Sequence, residues 1–163
     1  MRQNHKKSID NTVRLLLSTI NFLGIMSAYL KKSKEYEVAA TFVRESGQYN
    51  ACMHNYYYSL ILLATHFIVH WDGKSINELI TSQTVDDHKP TSHKVIRDQL
   101  RQRIKSVYKY DRFEQTSFNN NFNNLKALRE SADYEDELLD SNAAQSAEKY
   151  LKELIESLKK VYR

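Results

Sequence analysis

The stretch Tyr49-Asn50-Ala51-Cys52-Met53-His54-Asn55-Tyr56-Tyr57-Tyr58-Ser59-Leu60-Ile61-Leu62-Leu63-Ala64-Thr65-His66-Phe67-Ile68-Val69-His70-Trp71 decides the fold. It carries no lysine, arginine, aspartate or glutamate, and neither glycine nor proline. Its apolar residues fall on most sides of a helix, as in an element surrounded by others. The most apolar part, Tyr57 to Val69, is short of the ~20 residues a membrane span needs, and it contains His66. The stretch therefore reads as a central buried helix that neighbouring helices must cover.

The flanking sequence supplies them. Upstream, Tyr29, Tyr36, Ala39, Ala40 and Val43 give an inward stripe to a helix over residues 28 to 45, ended by Ser46-Gly47. A further helix is expected near residues 8 to 26, capped by Ser8, Asp10 or Asn11, behind a basic arm. Downstream, Asp72-Gly73-Lys74 is a turn, a short helix follows over 75 to 81, and 82 to 92 is the longest loop. A fourth helix over 92 to 110 turns Val95, Ile96, Leu100, Ile104, Val107 and Tyr108 inward. A fifth spans 113 to 139, and the weak helix formers Asn119-Asn120-Asn121 allow a break in it. The last covers 143 to 162, with Ala147, Leu151, Leu154, Leu158 and Val161 among its inward residues.

The fold class is thus all-α, an up-and-down bundle of five or six helices. Three glycines and one proline in 163 residues fit long helices better than a turn-rich β fold. The length suits one domain: residues 1–27 as arm and extra helix, 28–163 as the bundle. A hydrophobic fraction of 41% against 27% charged residues argues against disorder. Cys52 is the single cysteine, so no internal disulfide can form; it reads as a small buried hydrophobe in a reducing, cytoplasmic setting. No signal peptide, membrane association or cofactor is expected. His66 and His70 have a helical metal spacing but lack an evident third ligand, so no metal site is expected.

Three segments carry a resemblance. Gly47 to Ser59 resembles the glycine-x-tyrosine … arginine-x-tyrosine-tyrosine-alanine helix of small prokaryotic HEPN (higher eukaryotes and prokaryotes nucleotide-binding) proteins. Ser92-His93-Lys94 resembles their threonine-histidine-lysine element. Leu125-Lys126-Ala127-Leu128-Arg129-Glu130-Ser131-Ala132-Asp133-Tyr134 resembles their leucine-x-x-leucine-arginine-x-x-alanine-aspartate-tyrosine element, the most specific of the three. The likeness runs from about residue 28 to the C-terminus. Two features depart from it: the helix before residue 28, and Asn55 where the family has an arginine.

The resemblance implies a helical bundle, often dimeric, and partnership with a nucleotidyltransferase or a larger defence effector in toxin–antitoxin or antiphage systems. Many family members are RNases with an arginine, four to six residues, and a histidine. No arginine–histidine pair in this chain has that spacing, so RNase activity is not expected. Two functions lead, a non-catalytic module binding RNA or a nucleotide, or a dimeric protein-interaction module without nucleic-acid contact; a third, a degenerate or unusual RNase, has neither a nucleophile–base pair nor a metal cluster to support it.

The candidate binding residues are Arg129, Asp133, Tyr134, His93, Tyr57 and Tyr58. Arg129 and Asp133 can be a helical ion pair, or Arg129 can offer a phosphate fork beside a stacking Tyr134. The tyrosines Tyr56, Tyr57 and Tyr58 step about 100° each, so they cannot share one face. A basic stripe, Lys94, Arg97, Arg101, Lys105, Lys109 and Arg112, recurs at three- and four-residue spacing opposite the apolar face of its helix. It can be a solvated face, a track for RNA phosphates, or a surface for the acidic segment Glu135-Asp136-Glu137 of a second copy.

Overall fold

The computed structural model describes residues 28–86, 88–136 and 138–162. The helix expected near residues 8 to 26 lies outside them. The described chain is all-helical, with six helices and no strand among the described residues. Helix α1 occupies residues 28 to 45, α2 is Tyr49–Phe67, α3 is Ile76–Ser82, α4 is Ser92–Val107, α5 is Arg112–Tyr134 and α6 is Ser141–Val161. Gly47 and Gly73 have φ of +75° and +64°, which suits the turns after α1 and after the α2 extension.

Helix α2 is the centre. Cys52, Met53, Tyr56, Tyr57, Leu60 and Ala64 are buried around its circumference, with α5 and α6 packed along it and α4 closing another side. The neighbours run up and down. Asn50 at the start of α2 meets the end of α5, where its amide donates to the Ala132 carbonyl (3.4 Å) and its oxygen accepts the Leu139 N–H (3.0 Å). Ser33 of α1 donates to the Ser59 carbonyl (2.9 Å) in the interior, far from the α1–α2 turn. The other end of α2 meets Tyr162 after α6, whose ring stacks on Phe67 with centroids 5.2 Å apart.

Three expectations need correction. The helix expected to Trp71 keeps α geometry only to Phe67 and widens into a π turn over Ile68–Asp72. Asp72 is held there by the Gln99 amide (2.9 Å) and the Tyr162 hydroxyl (3.5 Å). Helix α5 is unbroken at its asparagines and stops at Tyr134 rather than Leu139. The asparagines are tied to their neighbours, which outweighs weak intrinsic propensity. Asn119 accepts from Arg101 and donates to the Gln115 carbonyl (2.8 Å), and Asn121 donates to Glu153 of α6 (2.7 Å). Acidic residues at a helix C-terminus oppose its dipole, and Asn50 captures the chain beyond it. Finally, Val107 is not core but about half exposed; it is the last residue of α4, and the chain turns out of the helix at Tyr108.

At the outer seam of α1 and α6, Arg44 pairs with Glu148, which also accepts from Lys152 (2.8 Å). The Lys152 hydrogen bond, helped by Arg44, holds the Glu148 carboxyl below its ordinary value despite partial burial. A depressed carboxylate stabilises the fold above its unfolded pKa of about 4.3, and that contribution is lost as pH falls through the folded value. Glu148→Gln should lower the urea midpoint at neutral pH. The gap from the parent should narrow as pH falls below the unfolded value of about 4.3. A gap independent of pH would refute this role.

Candidate functional site

The steps along α2 send its three tyrosines different ways. Tyr56 is buried beside the Arg44–Glu148 seam. Tyr57 is buried against α4 and α5, its ring edge-on to Phe122 (6.4 Å) and to His93 (5.6 Å). Tyr58 is half-buried, stacked on Tyr36 (5.9 Å) and on His54 (4.4 Å), and edge-on to His93 (5.4 Å). His93 thus sits where α2 meets the first turn of α4. Thr91 caps that helix by accepting the Lys94 N–H (3.3 Å), so the first N–H groups and the positive end of the helix dipole face the same region.

Arg129 of α5 closes the region from the other side. Its side chain is largely buried, and its Nε lies 2.8 Å from Asp133 Oδ2. The Nε–H is not aligned on that oxygen, so the contact is a charge pair without a directed hydrogen bond. Nη2 donates to the Tyr134 hydroxyl (3.2 Å), and the guanidinium carbon lies 5.0 Å from the Tyr134 ring centre and 5.8 Å from that of Tyr57. Burial works against the Arg129 charge, but the Tyr134 hydroxyl and Asp133 outweigh it and raise the pKa. Asp133 also lies 3.4 Å from His54 Nδ1. Tyr134 as a residue is 74% exposed.

The result is a cleft of about 280 Å³ lined by Tyr57, Thr91, His93, Lys94, Arg97, Lys126, Arg129, Glu130 and Tyr134. Arg97 leans on Asp98 (3.3 Å), and Lys126 pairs with Glu130. Four cations and one acidic group therefore line one concavity, with hydroxyl and imidazole groups between them. Of the sequence candidates, Arg129, Tyr134, His93, Tyr57, Lys94 and Arg97 come together here. Asp133 and Tyr58 stand behind them, holding Arg129 and packing on His93. Lys126, Glu130, Thr91 and His54 were missed. Lys126 stands one turn before Arg129, and His54 one turn before Tyr58, which is the spacing that could have found them.

The basic stripe divides. Lys94 and Arg97 belong to the cleft. Arg101 is turned onto α5, where Nε donates to Asn119 Oδ1 (2.9 Å) and Nη2 to Asn123 Oδ1 (3.0 Å). Lys105, Lys109 and Arg112 line a separate, more open concavity of about 500 Å³ near the α4–α5 turn. Elsewhere, burial pushes the Cys52 thiol up to about 11, which keeps it protonated and a poor nucleophile. The imidazoles of His66 and His70 stack (5.9 Å), and among the described residues no group of three or more His, Cys, Asp or Glu side chains could hold a metal ion. No helix among the described residues is long and apolar enough to cross a membrane.

His93 reports on the cleft. Burial lowers its pKa, and the nearby Arg129 charge lowers it further. Between the folded value and the unfolded value of about 6.5, the unfolded chain binds more protons, so this group's effect is to lower stability as pH falls. In an NMR titration His93 should titrate below about 6.5, and Arg129→Ala should raise its pKa only partly, because burial is the larger cause. Saturating inorganic phosphate should raise it as well, by screening Arg129. A free-protein value at or above about 6.5 would refute the arrangement.

No protein-family model, curated protein or solved structure matches this chain.

Proposed function

We propose that the chain is a non-catalytic HEPN-type module whose Arg129 cleft binds RNA or a nucleotide. The observation that carries the reading is the convergence of Lys94, Arg97, Lys126 and Arg129 on one small concavity beside the exposed Tyr134. Arginine offers a planar fork suited to phosphate, and lysines add point charges. A base can stack on Tyr134 while its phosphate meets Arg129 and the first turn of α4. Neutral His93 can donate and accept hydrogen bonds at a base or ribose. A toxin–antitoxin or antiphage system belongs to the same proposal and follows from the motif resemblance, and a cytoplasmic setting follows from the single cysteine.

Binding of AMP and of single-stranded RNA should be measured by calorimetry and fluorescence anisotropy. Arg129→Ala should weaken both by about ten- to a hundredfold, the value of a hydrogen bond to a charged group, and Arg129→Lys should not restore them. The RNA should remain intact. Absence of binding at low salt would overturn the reading. So would cleavage that is lost in both Arg129→Ala and His93→Ala, since it would make the cleft catalytic.

A second reading has its own observation. Val38 and Phe42 stand one turn apart on α1, each 69% exposed. Apolar side chains presented in this way fit a dimeric interaction module that docks a nucleotidyltransferase or larger defence effector without touching nucleic acid. On either reading we expect a homodimer at micromolar protein, and sedimentation should show Val38→Lys with Phe42→Lys to be monomeric. A wild-type monomer whose mass does not change with concentration would remove this second reading.

A further inference from the structure

At the far end of α4 from the Arg129 cleft, the chain turns from α4 into α5 and presents two large aromatic rings to solvent. Tyr110 is 89% exposed and Phe113 is 80% exposed. They flank Arg112 in sequence, and the Lys109 ammonium lies 5.2 Å from the Tyr110 ring centre. Lys105, Lys109 and Arg112 line the adjoining concavity of about 500 Å³ with Gln102, Ser106 and Gln115. No acidic side chain lines it. The nearest carboxylates in sequence are Asp111, which caps α5 by accepting the Glu114 N–H (3.1 Å), and Glu114 itself in the first turn of α5. Gln115 is fixed by donating to the Tyr108 carbonyl (2.6 Å), which anchors the turn.

We propose that this corner is a second seat for single-stranded RNA, with bases stacking on Tyr110 and Phe113 and phosphates on Lys105, Lys109 and Arg112. The proposal extends the nucleic-acid reading of the Arg129 cleft and rests on it for the path between the two. Exposed rings beside cations, with amides and a hydroxyl lining the floor, match a polyanion with flat apolar faces. A wholly apolar protein partner would leave the three cations unmatched. At a rise of about 1.5 Å per residue, Lys94 and Lys105 are about 16 Å apart along α4, so one strand can reach from cleft to corner. Arg101, braced on α5, lies between them. Recognition at the corner carries little sequence preference, because every base has a stacking face and phosphate contacts carry no base information.

The test uses the full chain with two probes: AMP, which can fill only one seat, and labelled oligouridine of about 12 nucleotides, within the range such surfaces cover. The paired change Tyr110→Ala with Phe113→Ala should weaken oligouridine binding about tenfold or more and leave AMP binding unchanged, while Tyr110→Phe with Phe113→Tyr should retain both. Lys105→Glu with Lys109→Glu should reduce the salt slope of oligouridine binding by about 1.4, or 0.7 per lost phosphate contact. Unchanged oligouridine affinity in the paired alanine variant overturns the corner and leaves the cleft standing. Failure of AMP to bind, with oligouridine still dependent on the two rings, removes the cleft and leaves the corner. Conversion of a dimer to a monomer by the alanine pair, with no effect on oligouridine, assigns the rings to a second copy and overturns the proposal.

Discussion

Helix α2 can exist only if it is covered on nearly every side, and the rest of the molecule follows from that. Full burial of one large aliphatic or aromatic side chain is worth about 1.5–3 kcal/mol, and α2 carries many of them around its circumference. Two of its buried polar side chains find partners without water, while the Tyr56 hydroxyl has no hydrogen-bond partner among the described residues. Ser59 meets Ser33 of α1, and Thr65 donates to the Ile61 carbonyl within α2 (2.8 Å). Covering α2 with α1, α5 and α6 satisfies most of its surface. The face bearing Tyr57 is covered by the start of α4 and the end of α5. The cleft is therefore a consequence of core packing: His93 and Arg129 come together because both pack against Tyr57.

The charge arrangement in the cleft explains how three of its four cations are balanced in the free protein. Like charges gathered on one concavity repel one another unless they are matched. Arg97 has Asp98 beside it, Lys126 has Glu130, and Arg129 has Asp133. Each acid sits on the same helix as its cation, so the matching is local and survives small movements between helices. Arg129 has five donors, of which one reaches Tyr134 while Asp133 faces Nε. Its charge is thus held without all its hydrogen-bonding capacity being consumed.

The helical architecture was legible because periodicity and scarce breakers agree over long stretches. Helices α1, α3, α4 and α6 fall within a few residues of expectation, and the inward residues Val95, Leu100, Ile104, Leu151, Leu154 and Leu158 are buried. What the sequence hid was tertiary. Three consecutive asparagines look like a break until Arg101 and Glu153 are found holding them. The end of α5 depends on Asn50, more than eighty residues away in the chain. The cleft was partly legible, since Arg129 and Tyr134 share a motif. The one-turn spacing of Lys126 and Arg129 puts both on one face of α5, but that this face meets the cations of α4 is a tertiary fact.

The stripe on α4 shows why spacing alone cannot assign a charge its work. Arg97, Arg101 and Lys105 are equivalent in the helical repeat, yet they differ in what each meets. Arg97 borders the cleft, Arg101 is spent on two asparagine carbonyls, and Lys105 faces the open concavity near Tyr110. A buried or braced guanidinium that loses its partners leaves polar groups unsatisfied, so reversing Arg101 disturbs the α4–α5 contact as well as any ligand. Reversing Lys105 alters only the field at the surface. The stripe is therefore two basic surfaces joined by a structural arginine. The strap that Arg101 makes to Asn119 and Asn123 fixes α4 on α5 and with it the separation between the two ends. Any ligand that spans them meets a distance set by the fold rather than by its own flexibility.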